Sequence, residues 1–203
     1  MTTPFKIFFL SLAVLSLSPK PSFGEGGSSS SGSILVDFNG FYFSDAATIS
    51  STNSASTRMF YDASLMVRIT KKGELYMGWN YGGYDTTVTT GSDTETYASS
   101  QMGPRFLWFM NKGRNWSLAA AYNLVTTAAY KAGSAGTALK WRGTAIKADI
   151  GYVSWLNDTF AIGGKVNYNS ASYIESSEDG NTYIQATNTR VHIYPSIYLG
   201  FQF

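Results

Sequence analysis

The sequence predicts an all-β protein, a closed antiparallel up-and-down transmembrane β-barrel of eight strands. Apolar and polar residues alternate along segment after segment, which places one face of each strand against hydrocarbon and the other against a wetter space. The connections between these segments alternate in length. The composition is also charge-poor and aromatic-rich, with 14% charged and 16% aromatic residues, whereas soluble proteins average about a quarter charged residues.

Residues 1–24 have the features of an export signal that is cleaved after Gly24. Lys6 supplies the positive start, residues 7–18 are the apolar core, and Ser22 and Gly24 are small residues at the cleavage positions. The core is shorter than the roughly 20 residues that a spanning helix needs. Two of the 15 basic residues lie in this segment, so 13 remain against 13 acidic residues in the mature chain. That balance opposes a nucleic-acid partner, which requires a clustered basic face.

Residues 25–33 form a flexible Gly/Ser segment, expected in the periplasm, and residues 34–203 form the barrel. The eight strand-like stretches are 33–44, 58–70, 74–86, 98–110, 115–127, 141–156, 159–171 and 188–203. Tight turns are expected at 71–74, 111–115 and 157–158, and long polar loops at 45–57, 87–97, 128–140 and 172–187. In a meander this pattern puts the tight turns at one end and the long loops at the other, as in outer-membrane barrels. Pro104 and Pro195 each remove a ladder donor, so we expect bulges or strand ends there.

The apolar face is predicted to look outward. A soluble, lipocalin-like barrel would place it inside, but large aromatic residues bracket it in two belts, as they do at membrane boundaries. The opposite face also has too few charges for a soluble exterior. The predicted girdle comprises Trp108, Trp116, Phe160, Phe201 and Phe203 near the tight turns, and Tyr42, Tyr61, Tyr81, Tyr122 and Tyr168 toward the long loops.

The strand layout and the final "YLGFQF" resemble the small bacterial outer-membrane barrels of the OmpA and OmpX type. In that class, an aromatic last residue after alternating apolar positions is similar to the signal read by the barrel-assembly machinery, which implies this role for Phe203. The resemblance covers residues 34–203 and is architectural. It implies a location in the outer membrane with both termini periplasmic, in contact with membrane lipid and lipopolysaccharide.

The inward face carries charges of both signs, which must pair in a narrow lumen because an unpaired buried charge is costly. We expect a plug of salt bridges, for example Arg105 or Lys147 with Glu74 or Asp62. Narrow porin-like transport of ions or small solutes is the alternative. The predicted network comprises Asp37, Asp62, Arg68, Glu74, Arg105, Lys147, Asp149, Lys165 and His192.

Catalysis and cofactor binding have little support in the sequence. His192 is the single histidine, and a lipid A-modifying enzyme that uses it remains a second alternative. Ser196 lies on the same face, but four residues along a strand correspond to about 13 Å, well beyond hydrogen-bonding reach. There is no Cys, and we expect no metal or other cofactor.

Small residues on the outward face suggest a self-association site. Ala120, Ala148 and Gly164 are placed at similar depth on neighbouring strands, and small residues let membrane elements approach closely. The sequence therefore predicts a non-enzymatic barrel with a structural or surface-interaction role, and a homo-oligomer is one form it can take.

Overall fold

The computed structural model describes residues 33–49, 52–70 and 74–203, which form eight β-strands in a closed ring. Consecutive strands pair antiparallel, and β8 pairs antiparallel with β1. The predicted eight-stranded up-and-down barrel is therefore confirmed, whereas the predicted signal (1–24) and the Gly/Ser segment up to residue 32 lie outside the described residues. The strands are β1 (Ile34–Ile49), β2 (Thr52–Arg68), β3 (Leu75–Thr90), β4 (Asp93–Phe109), β5 (Trp116–Lys131), β6 (Ala138–Trp155), β7 (Phe160–Ser177) and β8 (Ile184–Gln202).

The alternating pattern of the sequence becomes two faces of one wall. Along β5, Ser117, Ala119 and Asn123 are buried in the lumen, while Leu118 and Leu124 are exposed. The same alternation runs through the other strands, because successive side chains of a strand point to opposite faces. None of the described residues belongs to a helix long and apolar enough to cross a membrane.

The strands are longer than predicted at the end where long loops were expected. The predicted loop 87–97 is a hairpin that stays paired as far as Thr90 and Asp93, with Gly91 at a φ of 63° in its two-residue turn. The predicted loops 128–140 and 172–187 shrink to 132–137 and 178–183. The prediction of alternating long and short connections is therefore wrong. Ser and Thr were assigned to loops, but β-branched Thr pairs well across strands, as the hydroxyls of Thr89 and Thr94 do at 3.2 Å.

Both prolines singled out in the sequence lie at or next to an interruption of a ladder. Between β4 and β5 the register shifts between Met102 and Arg105, on either side of Pro104. Between β8 and β1, pairing starts near the C-terminus and stops at Ile197, which follows Pro195 by two residues in the chain. A proline has no N–H to donate, so a regular ladder cannot run through it on its donor side.

Three layers of side chains fill the barrel interior. The layer beside the turns at 110–115 and 156–159 is apolar, and the middle layer is charged. The layer toward the opposite end, which we call the hairpin end and which carries the connections 91–92, 132–137 and 178–183, is aromatic. The first contains Leu35, Met66, Tyr76, Leu107, Phe109 and Ala119, with Val153, Ala161 and Tyr198 beside it. The third contains Phe60, Tyr84, Tyr97, Ala128, Trp141, Ala145, Ala171, Tyr173 and Tyr194.

Candidate functional site

Arg105 of β4 is the centre of the charged layer. Its Nη1 donates to Asp62 Oδ1 and to Ser64 Oγ, both at 3.0 Å, and its Nη2 donates to Asp149 Oδ2 at 2.8 Å. Asp37 Oδ2 lies 3.8 Å from Nη2. Arg105 is only 1% exposed, so one guanidinium bridges three carboxylates from three other strands in the interior of the barrel.

Two lysines complete the network. Lys147 pairs with Asp62, and Lys165 Nζ lies 2.9 Å from Asp149 Oδ1 and 4.3 Å from the ring centre of Tyr198. The network therefore holds three basic and three acidic side chains and is formally neutral. Neutrality is what a poorly solvated interior requires, since each unpaired charge there costs several kcal/mol. The six residues are Asp37, Asp62, Arg105, Lys147, Asp149 and Lys165.

Strand periodicity and register bring these residues together. Lys147 and Asp149 are two apart on β6 and so share the inward face. On β7, Lys165 lies directly opposite Gly151 and diagonal to Asp149. A Cβ at Gly151 would overlap the Lys165 side chain. The glycine thus leaves room for the Lys165 side chain beside its diagonal partner Asp149.

Three predicted network members lie outside this cluster: Arg68, Glu74 and His192. Arg68 and Glu74, near the tight-turn end, are both half-buried, and neither forms an ion pair within the described residues. The sequence-based pairing of Arg105 or Lys147 with Glu74 is therefore not observed, whereas both contact Asp62. The alternation of side chains along the strand predicts that Glu74 points inward, but it does not give the level of Glu74 along the barrel. Glu74 immediately precedes β3 and lies below the charged layer.

His192 belongs to the aromatic layer. Its ring centre is 3.8 Å from that of Tyr84 and 6.1 Å from that of Phe60, and its Nε2 is buried without a hydrogen-bond partner in the described part of the chain. Ser196 accepts a hydrogen bond from Asn167 Nδ2 at 2.8 Å. The structure thus surrounds the predicted histidine with rings and gives Ser196 a different partner.

Hydroxyl contacts and close ring packing complete this layer. The hydroxyls of Tyr97 and Tyr173 are 2.6 Å apart, and the rings of Phe60 and Tyr194 stack with centres 3.6 Å apart. The layer lies above the charged network and presents mostly ring surface to the interior. Its members come from seven strands, β2 to β8, so no single segment of the sequence displays it.

The sequence analysis did not identify two arginines that lie at the edges of these layers, Arg190 and Arg114. Arg190 lies 5.0 Å from the Tyr130 ring centre and pairs with Glu95 at 3.5 Å, while Arg114 lies 4.2 Å from the Trp155 ring centre. Arg190 shares the inward parity of His192 on β8, which is a signal that could have found it. Arg114 lies in a turn, where no periodicity indicates a direction.

All ten predicted girdle residues lie on the outward side of their strands. Exposed fractions range from 38% for Tyr61 to 66% for Phe203, apart from Phe160 and Phe201, which are half-buried against each other at 5.0 Å. Phe203 also joins β8 to the start of β1, because its N–H donates to the Ile34 carbonyl at 2.9 Å. Its role as an assembly signal stays a prediction.

Comparison with solved structures gives the same architecture. The chain is similar to Neisserial surface protein A, with 13% identity and a TM-score of 0.50 over 84% of this chain and 97% of that one. The fold is that of the small outer-membrane β-barrels. The β domain of the Bordetella autotransporter BrkA matches with 11% identity and a TM-score of 0.43, over 84% of this chain and 70% of that one. The translocator domain of the autotransporter NalP from Neisseria meningitidis matches with 8% identity and a TM-score of 0.40, over 88% and 90%. No family model and no curated protein matches the sequence.

The three small residues predicted to form one contact on the outside of this outer-membrane barrel fold do not lie together. Ala120 and Ala148 are direct partners, but Ala148 pairs onward with Tyr168, whereas Gly164 pairs with Tyr152. Gly164 therefore lies four residues along β7 from the position beside Ala148, so the expectation of equal depth is wrong. Periodicity gives the face on which a residue lies but not its level along the barrel, because that level depends on the register between strands.

The barrel also has an open mouth at the hairpin end. A cavity of about 930 Å³ there is lined by Tyr130, Trp141, Arg190 and the turn around Asp179. Asp179 Oδ1 accepts from the N–H of Asn181 at 2.8 Å, which orders that turn. Across the described ranges, no group of three His, Asp or Glu side chains is placed to hold a metal ion.

Proposed function

We propose that the protein is an integral outer-membrane β-barrel with both termini toward the periplasm and a lumen closed by its own side chains. Its role is structural or surface interaction, exerted through the outward wall and the exposed hairpins. Support for the membrane location comes from the wall itself. Leu65, Ile146 and Ile197 are 59%, 56% and 63% exposed, and a continuous band of such residues is unfavourable in water.

The packing of buried side chains in the barrel interior is the observation that supports this proposal. Eight strands enclose an interior just wide enough for side chains. Here the charged network spans it, with Arg105 reaching Asp62 on one side and Asp149 on the other at 3.0 and 2.8 Å. Apolar and aromatic layers lie below and above. An ion crossing this barrel would have to break a buried, balanced network and then pass two apolar layers, which opposes the transport alternative.

The same arrangement opposes a catalytic role. His192, the side chain on which the lipid A-modifying alternative depends, is half-buried against the rings of Phe60 and Tyr84 and has no hydroxyl or carboxylate partner in the described residues. The partners we propose are membrane lipid, lipopolysaccharide and, during biogenesis, the barrel-assembly machinery. Self-association remains a proposal, but not through Ala120, Ala148 and Gly164 as one patch.

Single-channel recording tests the closed lumen. The refolded protein is inserted into planar bilayers, with a general porin in the same bilayers as the positive control. We expect no steady unitary openings from this protein, and a reproducible conductance step would contradict the plug. Cell fractionation tests the location separately, because recovery in the soluble periplasmic fraction would contradict the membrane placement.

A further inference from the structure

The wall of the barrel is incomplete between β1 and β8. These strands pair only from Leu35–Gln202 to Gly40–Ile197, which is six residue pairs. Elsewhere the ladders continue into the hairpins, as β1 and β2 do as far as Ile49–Thr52. Residues 41–49 of β1 and 184–196 of β8 are therefore each paired on one edge and unpaired on the edge that faces the other strand. We call this gap the seam.

Pro195 explains where the seam begins. The N–H and C=O groups of Ile34 and Phe203 bond to each other, so every second residue of β8 counted from Phe203 directs its N–H toward β1. The series runs through Ile197 and reaches Pro195, whose partner in a continued register would be Tyr42. Pro195 has no N–H, so the next pair of the ladder cannot form completely.

The seam lies at the outer boundary of the predicted hydrocarbon band. About 9–11 residues of a tilted strand cross the hydrocarbon, which on β8 is the length from Phe203 to about Ile193. Ile193 is the direct partner of the predicted girdle residue Tyr168. The strand length and the aromatic girdle therefore place the outer boundary of the hydrocarbon at the same residue of β8. At that level a free backbone donor is expensive, and the proline removes one donor from the unpaired edge of β8.

Side chains next to Pro195, where the seam begins, are apolar or aromatic, whereas polar residues such as Asp45 and Arg190 lie farther along the two strands. Ile193 is 72% exposed, Tyr42 64% and Phe43 44%. Phe43 has lumen-facing parity and stacks on half-buried Phe41, whose ring centre is 6.3 Å from that of Phe60 in the aromatic layer. The seam therefore opens from the outward wall onto aromatic surface, well above the charged network.

We propose that the seam is a lateral binding slot for an acyl chain of an outer-leaflet lipid. A second strand is a poor occupant, because a proline on an edge is a device that blocks strand addition. A polar ligand would find few partners next to Pro195, where Tyr42, Phe43 and Ile193 line the seam. An acyl chain needs no hydrogen bonds, and it would cover Phe43 and Ile193. The inference rests on the proposed membrane placement.

Disulfide trapping tests whether the seam is open. The chain has no Cys, so paired cysteines are introduced without background. Phe38 and Leu199 are direct partners in the closed part, and F38C/L199C is the control. Six residues farther along each strand, a continued register would place Ser44 opposite Ile193, which defines S44C/I193C. A disulfide needs Cα atoms about 4.4–6.8 Å apart. We expect the control to oxidise readily and the seam pair to remain reduced, and oxidation of both at equal rates would overturn the open seam.

Photolabelling tests the occupant. The wild-type protein is reconstituted with a phospholipid that carries a diazirine on its acyl chain, irradiated, and mapped by mass spectrometry. We expect labels at outward Leu65 and also at lumen-facing Phe43 and Tyr194, but not at lumen-facing Ala128, which lies in a fully paired wall. Labels confined to outward positions would overturn the acyl slot and leave the membrane placement intact. Absence of label at Leu65 as well would overturn both.

Discussion

Removal of Arg105 tests the charge balance of the lumen most directly. In Arg105→Met the network keeps three carboxylates but only two cations, and Asp37 loses the one cation within 4.0 Å of it among the described residues, at 3.8 Å. Two charged hydrogen bonds are lost, to Asp62 at 3.0 Å and Asp149 at 2.8 Å. Each such bond contributes about 1.5–3 kcal/mol. We expect the free energy of unfolding to fall by about 3–5 kcal/mol, the range for breaking a buried ion pair.

Urea titration of the protein refolded into lipid vesicles measures this loss. Arg58→Met is the matched control, because Arg58 is exposed and surface substitutions change stability by about 0.5 kcal/mol at most. The double variant R105M/D37N restores equal numbers of positive and negative charges, so it should be more stable than R105M alone. Equal destabilisation by R105M and R58M, or no recovery in the double variant, would refute the balanced-network interpretation.

Three further outcomes are expected. Pro195→Ala restores an N–H opposite Tyr42, so in that background the S44C/I193C pair should oxidise nearly as fast as the control pair, and an unchanged low rate would show that the proline does not hold the seam open. His192→Ala should leave the lipid A mass spectrum of host cells unchanged, whereas loss of a modified species would restore the enzymatic alternative. Donors from Thr182, Asn181 and the Ser177 hydroxyl lower the pKa of exposed Asp179 from 3.8 to about 2. Its contribution to the order of the turn should therefore be complete above about pH 4 and disappear as the pH falls through about 2, and an NMR titration with a midpoint near 4 would contradict this.

Much of the barrel was predictable because strand periodicity is local. The direction in which Lys147, Asp149 and Lys165 point follows from counting by two, and so does the outward placement of the aromatic girdle. Polar hairpin ends were not predictable in this way, because Ser and Thr occur in both loops and exposed strands. Residues 87–90 show this ambiguity: they were assigned to a loop and continue β3.

Depth and partner choice depend on register, which periodicity does not carry. Glu74 and Asp62 have the same inward parity and similar chemistry, yet only Asp62 reaches Arg105. Likewise, Gly164 and Ala148 share the outward face but pair with different neighbours. Turn lengths and bulges set these offsets, and the alternation of apolar residues along one strand does not say which residue of the next strand lies opposite.

The sequence by itself determined that the chain is a β-barrel, which face looks outward and which charged residues point inward, because those properties follow from a two-residue repeat. Tertiary structure alone decided that six of the inward charges form one neutral network and that β1 and β8 separate above Gly40. Both depend on how strands far apart in the chain align when the sheet closes, and that alignment is a property of the closed ring rather than of any segment.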